Sequence, residues 1–376
     1  MRLNSTLVHG SKNWDQHTGA ISFPIYQSAT FCHPGLNQST GYAYSRDQNP
    51  TREEVEKTLA ILEKGSRGLA FSSGVAALAT LYQIFSPGDH FIVSDDLYGG
   101  TFRLFEQLTK NGLEFTYLDI GRIELIEPAI RKNTRGIFLE TPSNPMMKVA
   151  DIKAVAQLAQ ANKVLTIVDN TFLTPYFQRP LELGADIVLH SGTKYLGGHN
   201  DTLAGFLVVK DEELGERLKY QQMSVGAVLS PFDSWLILRG LKTLGLRLER
   251  QQQNAIVIAH WLQTNDNVEA VYYVGLPDHP NHDISQKQAT GFGAMISFKV
   301  KQQAMVERIL GNVRLISFAE SLGGVESLIT YPLVQTHSSI PKKMLERLGI
   351  DERLLRLSVG IEDVEDLILD LDKAMC

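Results

Sequence analysis

Lys194 stands directly after an apolar run, residues 185–190, that has the pattern of a buried strand. Two small hydroxylic residues, Ser191 and Thr193, flank the lysine, and glycines follow at 197 and 198. A lysine at the end of a buried strand is costly unless its ammonium group is paired or bonded to another group. The pattern therefore indicates either an ordinary loop lysine or a lysine that binds a partner at a functional site.

Polar side chains also follow the neighbouring apolar runs. In an open parallel sheet, ligands bind beyond the carboxyl ends of the strands, so these side chains are candidates for one shared site. They comprise an aromatic residue, an amide, a carboxylate, two hydroxyls and the lysine: Tyr98, Asn144, Asp169, Ser191, Thr193 and Lys194. Upstream, Ser72, Ser73 and Gly74 open a helix-like stretch, and such a turn presents free backbone N–H groups to an anion such as phosphate.

This set of residue types matches the needs of pyridoxal phosphate. That cofactor requires a lysine for a Schiff base, an anion at its pyridinium nitrogen, a cradle for its phosphate and usually an aromatic face on its ring. Each piece is common by itself. Their order and spacing along the chain favour a pyridoxal-phosphate site over an ordinary loop lysine.

The elements that must position these residues alternate between strand-like and helix-like patterns. Helix-like stretches, such as residues 154–163, separate four short apolar runs, which are residues 90–95, 136–141, 165–170 and 186–191. Apolar strands spaced by helices indicate βαβ units and a mostly parallel sheet. The sequence therefore predicts an α/β fold.

The organisation of the chain changes twice. Residues 1–50 are rich in polar residues, Gly and Pro, and predict an extended N-terminal arm. Thr51, with Glu54 three residues later, predicts a capping box at the start of the next helix. Near residue 240 a long helix-forming stretch begins and leads to two strand-like runs. We predict an arm at 1–50, a large cofactor-binding domain at 51–240 and a smaller α+β domain at 241–376.

Composition limits the class of protein. The chain has 376 residues, a formal net charge of −6 and 43% hydrophobic residues, which are ordinary values for a globular protein. No broad basic field invites nucleic acid or anionic lipid, and no apolar run approaches the roughly 20 residues that span a bilayer. Two cysteines at opposite ends and an N-terminus without an apolar core predict a cytoplasmic protein.

Nearly the whole chain resembles the cystathionine γ-synthase, γ-lyase and β-lyase family of transsulfuration enzymes. The matching stretches are GYAYSRDQNPTREEVE, GLAFSSGVAAL, DDLYGGTFRLF, ETPSNP, VDNTFLTPY, SGTKYLGGHND, AESLGGVESLITYP and LLRLSVGIEDVEDL. The resemblance implies the aspartate-aminotransferase (type I) pyridoxal-phosphate fold. It also implies a homotetramer, built as a pair of dimers with shared active sites.

The resemblance implies a role toward the cofactor for each matching residue. Lys194 would form the Schiff base and move protons, Asp169 would pair with the ring nitrogen, and Tyr98 would stack on the ring and take a proton from the substrate amine. Asn144 would assist at the ring oxygen. The phosphate would be held by backbone and side-chain groups of Gly74, Val75, Ser191 and Thr193, and by Tyr44 and Arg46 reaching over from the neighbouring subunit.

The resemblance also implies how substrate binds. Arg356 would hold the α-carboxylate in a bidentate pair, a geometry that favours arginine over lysine, and Ser321 and Asn144 would assist. Arg103 and Glu326 would contact the distal end of the substrate. Many relatives have an acidic residue before the YSR motif where this chain has Ala43, so recognition of a distal ammonium group is in question.

The implied activity is that of a carbon–sulfur lyase. It would cleave cystathionine by β- or γ-elimination to cysteine or homocysteine, a 2-oxo acid and ammonia. A γ-synthase or acyl-homoserine thiol-lyase, which replaces the γ-substituent, stays open as an alternative. A non-catalytic pyridoxal-phosphate binder would not need the carboxylate-binding Arg356, and a Rossmann oxidoreductase is disfavoured because no GxGxxG follows the first strand.

Several residues have a second interpretation. Arg356 could pair with an acidic neighbour, Asp351 or Glu352, and Arg103 could be a solvated helix residue. Glu140 could have no role beyond supporting the packing of a loop. The spacing of His279 and His282 could suggest a metal, but a full ligand set is missing, so we predict no metal site.

Overall fold

The computed structural model describes residues 1–376, and its larger sheet explains how the predicted site residues converge. The seven strands are β1 (Arg67–Phe71), β2 (His90–Ser94), β3 (Glu114–Leu118), β4 (Thr134–Glu140), β5 (Leu165–Asp169), β6 (Ile187–Ser191) and β7 (Gly205–Val209). Their spatial order is β1-β7-β6-β5-β4-β2-β3. All neighbours from β6 to β3 are parallel, whereas β7 is antiparallel to β1 and to β6. The predicted mostly parallel sheet is confirmed.

The central parallel strands, β2, β4, β5 and β6, are buried on both faces, whereas the edge strand β3 is half-buried. Ile92 of β2 belongs to one hydrophobic cluster, while its neighbours Phe91 and Val93 belong to another, because successive side chains point to opposite faces. Helices cover the two faces and explain this burial. They are α2 (Pro50–Glu63), α3 (Gly74–Tyr82), α4 (Gly99–Lys110), α5 (Ile152–Ala161), α6 (Thr174–Phe177), α7 (Glu212–Val225) and α8 (Pro231–Leu241), with 3-10 turns at Ile123–Leu125, Glu127–Ala129 and Pro180–Leu183.

A second, smaller sheet follows and has its own core. Its strands are β8 (Val268–Tyr272), β9 (Met295–Val300), β10 (Ser317–Phe318), β11 (Leu328–Thr330) and β12 (Leu354–Ser358), in the spatial order β10-β11-β12-β9-β8. The long helix α9 (Leu244–Thr264) and the last helix, α13 (Val364–Met375), contribute apolar side chains to this core. The remaining helices are α10 (His282–Gln288), α11 (Ala304–Asn312) and α12 (Lys342–Leu348). The division of the chain near residues 50 and 240 stays a prediction.

The predicted capping box at the start of α2 is wrong. Asn49 caps this helix instead, because its side-chain oxygen accepts hydrogen bonds from the N–H groups of Thr51 and Arg52. Thr51 is occupied elsewhere: its hydroxyl donates to the carbonyl of Pro24 at 2.9 Å and accepts from the N–H of Tyr26 at 2.9 Å. The first turn of α2 therefore fastens the N-terminal arm to the body of the chain.

The arm itself is not uniformly extended. It begins with a short helix, α1 (Leu3–His9), and the carboxylate of Glu54 accepts hydrogen bonds from the N–H and hydroxyl groups of Ser11. Both cysteines, Cys32 and Cys376, are free and exposed. None of the helices combines the length and the apolar character needed to cross a membrane.

Candidate active site

The carboxyl ends of the parallel strands open into a cavity of about 330 Å³. Glu140 and Asp169, the last residues of β4 and β5, are partners in the strand register. The cavity also receives Arg356 from β12 of the smaller sheet, so it lies between the two sheets. The structure brings ten of the predicted residues to this cavity: Gly74, Val75, Tyr98, Asn144, Asp169, Ser191, Thr193, Lys194, Ser321 and Arg356.

Lys194 lies in this cavity with its amine held by one hydroxyl group. Its Nζ donates to Oγ of Ser321 at 2.7 Å. Burial, together with the nearby positive charge of Arg356 and against the opposing effect of Glu320, lowers the pKa of Lys194 to about 8. A lysine with this pKa is partly neutral near physiological pH, and the neutral amine is the form that attacks a carbonyl group.

Asp169 is a half-buried carboxyl group that the neighbouring turn stabilises as an anion. Its Oδ1 accepts the N–H and the hydroxyl of Thr171, at 3.0 and 2.5 Å. The Thr171 hydroxyl in turn accepts the N–H of Ser191 at 2.8 Å. Burial raises the pKa of Asp169, while the two hydrogen bonds from Thr171 and the neighbouring His190 oppose that rise. The other oxygen is free to pair with a cationic group in the cavity.

The amino end of α3 forms an anion site beside Asp169. The first N–H groups of a helix have no partner within the helix, so Gly74 and Val75 can donate to an anion. The side chain of Ser73 caps the helix by accepting the N–H of Ala76 at 3.1 Å. A Cβ atom on Gly74 would lie 3.1 Å from Cβ of Ser191, so the glycine allows this close approach of helix and strand.

The Arg356 side chain is only 1% exposed. None of the groups that accept its hydrogen bonds is a carboxylate. Its Nη1 donates to Oδ1 of Asn144 at 2.8 Å, and its Nη2 donates to the carbonyl of Ser321 at 3.0 Å. Its Nε is buried and has no partner. The alternative pairing with Asp351 does not occur, because that carboxylate accepts from Lys299 and Arg353. A buried guanidinium with an unused donor fits an anionic ligand such as a carboxylate.

Tyr98 presents its ring to the cavity from the start of α4. The ring is packed against Gly100, where a Cβ atom would lie only 2.3 Å from Cε1 of Tyr98. Tyr98 is 38% exposed, which leaves part of its ring available for a planar ligand. Together with the amine, the carboxyl group and the anion site, this aromatic face fits pyridoxal phosphate.

Comparison with known proteins decides the family. Residues 4–376 match the family described as Cys/Met metabolism PLP-dependent enzyme. The chain belongs to this family. The expected pyridoxal-phosphate cofactor and the expected action on small amino acids of sulfur metabolism are thereby confirmed.

Individual relatives of this pyridoxal-phosphate enzyme carry different names. It is 50% identical over 376 residues to cystathionine gamma-lyase of Bacillus subtilis (strain 168), with 100% of this chain and 99% of the relative covered. It is 49% identical to cystathionine beta-lyase of Lactococcus lactis subsp. cremoris (99% and 98% covered) and 48% identical to cystathionine gamma-synthase of Haemophilus influenzae (99% and 97% covered). The crystal structure of cystathionine gamma-lyase from Lactobacillus plantarum complexed with L-serine superposes with a TM-score of 0.97 at 46% identity, covering 100% and 98%. The predicted type I fold is confirmed.

Four predicted residues lie outside the cavity of their own chain. Tyr44 is 49% exposed and lies under the guanidinium of Arg46, which also donates to the carbonyl of Met223 at 2.9 Å. Arg103 is exposed and its Nη1 is 3.4 Å from Oγ of Ser339. Glu326 is exposed and accepts from Nδ2 of Asn200 at 2.8 Å. The roles assigned to these four residues stay predictions.

The cavity also contains residues that the sequence reasoning missed. Thr171, which fixes Asp169, follows it by two positions, the spacing of a turn in which an Asp side chain accepts a nearby N–H; that signal was available. Glu320, Leu203 and Thr336 gave no comparable signal. Leu203 is an apolar loop residue that is 63% exposed at the cavity, which no periodic pattern predicts.

Proposed function

We propose that this pyridoxal-phosphate enzyme is a carbon–sulfur lyase that cleaves cystathionine. One observation carries the proposal: Ser321 binds both Lys194, through its hydroxyl, and Arg356, through its carbonyl. The reactive amine and the carboxylate-binding guanidinium are therefore held side by side. An α-amino acid whose carboxylate pairs with Arg356 has its α-carbon next to the Lys194 amine, which is the arrangement that proton removal from that carbon requires.

The proposed reaction assigns a task to each group. Pyridoxal phosphate, when bound, withdraws electrons from the α-carbon of the substrate. Asp169 would pair with the ring nitrogen and favour its protonated form, and the amino end of α3, with Ser191 and Thr193, would hold the phosphate. Tyr98 would cover the ring and accept a proton from the incoming substrate amine. Lys194, with its lowered pKa of about 8, removes the α-proton and returns a proton as the leaving group departs.

The position of the leaving sulfur decides the products. If sulfur leaves the β-carbon of cystathionine, the products are homocysteine, pyruvate and ammonia. If Lys194 removes a second proton from the β-carbon, sulfur can leave the γ-carbon, and the products are cysteine, 2-oxobutyrate and ammonia. Incubation of the loaded enzyme with cystathionine, followed by separation of pyruvate from 2-oxobutyrate, tests both routes. Formation of neither oxo acid would overturn the lyase proposal.

A second candidate reaction is γ-replacement on an acylated homoserine. This reaction is considered because the chain is 48% identical to a protein named cystathionine gamma-synthase. The same residues would serve, because a thiol would add to the γ-carbon after the acyl group has left it. Formation of cystathionine from cysteine and O-acetylhomoserine, at a rate above that of cystathionine cleavage, would make this reaction the principal activity.

We infer that two chains share each site and that the enzyme is a homotetramer. Tyr44 and Arg46 contact each other, yet neither lines the cavity of its own chain. The arm also exposes apolar side chains, with Ile21 at 75% and Leu36 at 93%, which a second copy would cover. The free cysteines fit a cytoplasmic location. Sedimentation equilibrium of the loaded enzyme tests the tetramer.

A further inference from the structure

Glu140 is a buried carboxyl group at the cavity to which the proposed reaction gives no task. It ends β4, is 7% exposed and lies beside Asp169 in the strand register. Its backbone N–H donates to Oγ of Ser94 on the neighbouring strand at 3.0 Å, so its position is fixed by the sheet. A carboxyl group in such a place is costly unless it is neutral or well paired.

The side chain of Glu140 contacts the residue that covers the cofactor ring. Its Oε2 accepts the N–H of Tyr98 at 2.9 Å, at the residue that precedes the first turn of α4. The Tyr98 side chain makes no capping hydrogen bond to this helix. Gly100 leaves space for the Tyr98 ring on the other side. Two contacts therefore position the Tyr98 ring: Glu140 accepts the backbone N–H of Tyr98, and Gly100 lies against the edge of the ring.

We propose that Glu140 is a positioning residue, which holds the Tyr98 ring over the cofactor by accepting the Tyr98 N–H with a neutral carboxyl group. This inference rests on the proposed role of Tyr98. It differs from the interpretation of Glu140 as a packing residue of its loop, because it requires a specific acceptor atom and a specific charge.

The surroundings of Glu140 favour the neutral form of its carboxyl group. Burial raises the pKa of Glu140 well above its usual range, and the carboxyl groups of Asp169 and Asp96 raise it further. The N–H of Tyr98 and the guanidinium of Arg356 oppose this rise and are outweighed. Two adjacent buried carboxyl groups do not both ionise readily. With the proton on Glu140, Asp169 is the anion that pairs with the ring nitrogen, and the Glu140 carbonyl oxygen still accepts the Tyr98 N–H.

The test compares Glu140→Gln with Glu140→Leu. Glutamine is neutral and keeps a carbonyl oxygen at the same place, whereas leucine has a similar volume and no acceptor. Two properties are measured without substrate: the dissociation constant of pyridoxal phosphate, and the visible circular dichroism of the bound cofactor, which reports the asymmetric contact with the Tyr98 ring. We expect Glu140→Leu to weaken cofactor binding about tenfold and to reduce the dichroic band by more than half. We expect Glu140→Gln to restore both within threefold.

The same Glu140 substitution, made in an enzyme that also carries Tyr98→Ala, shows whether Glu140 acts through Tyr98. In Tyr98→Ala enzyme the ring is absent, so adding Glu140→Leu should change the cofactor dissociation constant less than threefold. Three results would overturn the proposal: a Gln variant as impaired as the Leu variant, a Leu variant that matches wild type, or an equal Leu effect in both backgrounds. Thermal unfolding identifies a misfolded Leu variant; in that case a Glu140→Gln variant that binds the cofactor about tenfold more weakly than wild type would overturn the proposal. Failure to cleave cystathionine would count against the proposed reaction only.

Discussion

Lys194 and Ser321 are joined by a hydrogen bond of 2.7 Å, and the serine that makes it has a backbone φ of +90°. A positive φ is unfavourable for a residue with a Cβ atom and persists where the surroundings fix it. Here the carbonyl of Ser321 is bound by Arg356, and Ser358 accepts the N–H of Gly323 just downstream. The strained turn thus connects the Lys194 amine to the Arg356 guanidinium.

Removal of the Ser321 hydroxyl should separate these two tasks. In Ser321→Ala the carbonyl that holds Arg356 remains, so the KM for cystathionine should stay within twofold. The Lys194 amine loses its acceptor, and a charged hydrogen bond worth about 1.5 kcal/mol corresponds to roughly a tenfold lower kcat. Steady-state kinetics measure both constants. A KM that rises as much as kcat falls would show that the hydroxyl binds substrate instead.

Ser321→Gly is the matched control for backbone strain. It removes the same hydroxyl, so its kcat should equal that of Ser321→Ala. Because glycine adopts a φ of +90° without steric cost, we expect the glycine variant to be more stable than the alanine variant by about 1 kcal/mol. Chemical denaturation of the two variants measures this difference, and equal stabilities would contradict it.

Covalent attachment of the cofactor should depend on pH through Lys194. Burial lowers the pKa of this lysine to about 8, so the neutral, attacking amine predominates above pH 8 and falls to about a tenth at pH 7. The rate at which cofactor-free enzyme gains its visible absorbance should rise with pH along this curve, whereas an exposed lysine would need a pH above 10. After borohydride reduction, mass spectrometry should find the cofactor on Lys194, and a label on a different lysine would reject the assignment.

The proposed sharing of active sites between chains predicts complementation between two impaired variants. In a dimer of one Arg46→Ala chain and one Lys194→Ala chain, one site has both native residues and the other has neither. Joint refolding of the two inactive variants should therefore restore up to about half of the activity per heterodimer. A mixture of Lys194→Ala with wild type controls for dilution. Formation of heterodimers without recovered activity would show that Arg46 serves its own chain.

Substrate choice should depend on Glu326 and on position 43. A carboxylate that binds a substrate ammonium group contributes about 1.5–3 kcal/mol when buried, and Glu326 is exposed in the single chain, so we expect the lower end, roughly tenfold. Glu326→Ala should raise the KM for cystathionine by about that factor and leave homocysteine, which lacks the distal ammonium group, within twofold. Ala43→Glu should shift the ratio of specificity constants toward cystathionine. Equal losses for both substrates in Glu326→Ala would remove Glu326 from the distal pocket.

Local sequence patterns predicted the buried strands of the large sheet and the polar residues that follow them. Strands β2, β4, β5 and β6 were predictable because each is a short apolar run whose end is marked by a change to polar residues. Residues such as Asp169 and Lys194 at those ends were predictable for the same reason. The caps were less so: Thr51 and Glu54 have the spacing of a capping box, yet both bind the arm, a tertiary contact that outweighs the local signal.

Other features depend on contacts between distant segments. The partnership of Ser321 with Lys194 spans 127 residues, and no spacing rule reports it. Glu140 was singled out as the end of a strand, but its contact with the Tyr98 N–H requires the positions of two strands and a helix. Arg103 and Glu326 lie outside the cavity of a single chain, so their predicted task depends on surroundings beyond the sequence motifs that suggested it.

The attachment of the arm to the first turn of α2 has a consequence for assembly. Thr51 and Glu54 hold the arm near residues 11–26, and Arg52 donates to the carbonyls of Ser45 and Asp47 at 2.6 and 2.7 Å. The segment that carries Tyr44 and Arg46 is therefore a loop tied at both ends and not a loose tail. Most of the conformational entropy of this loop is lost when the monomer folds, so docking onto a second copy costs correspondingly less.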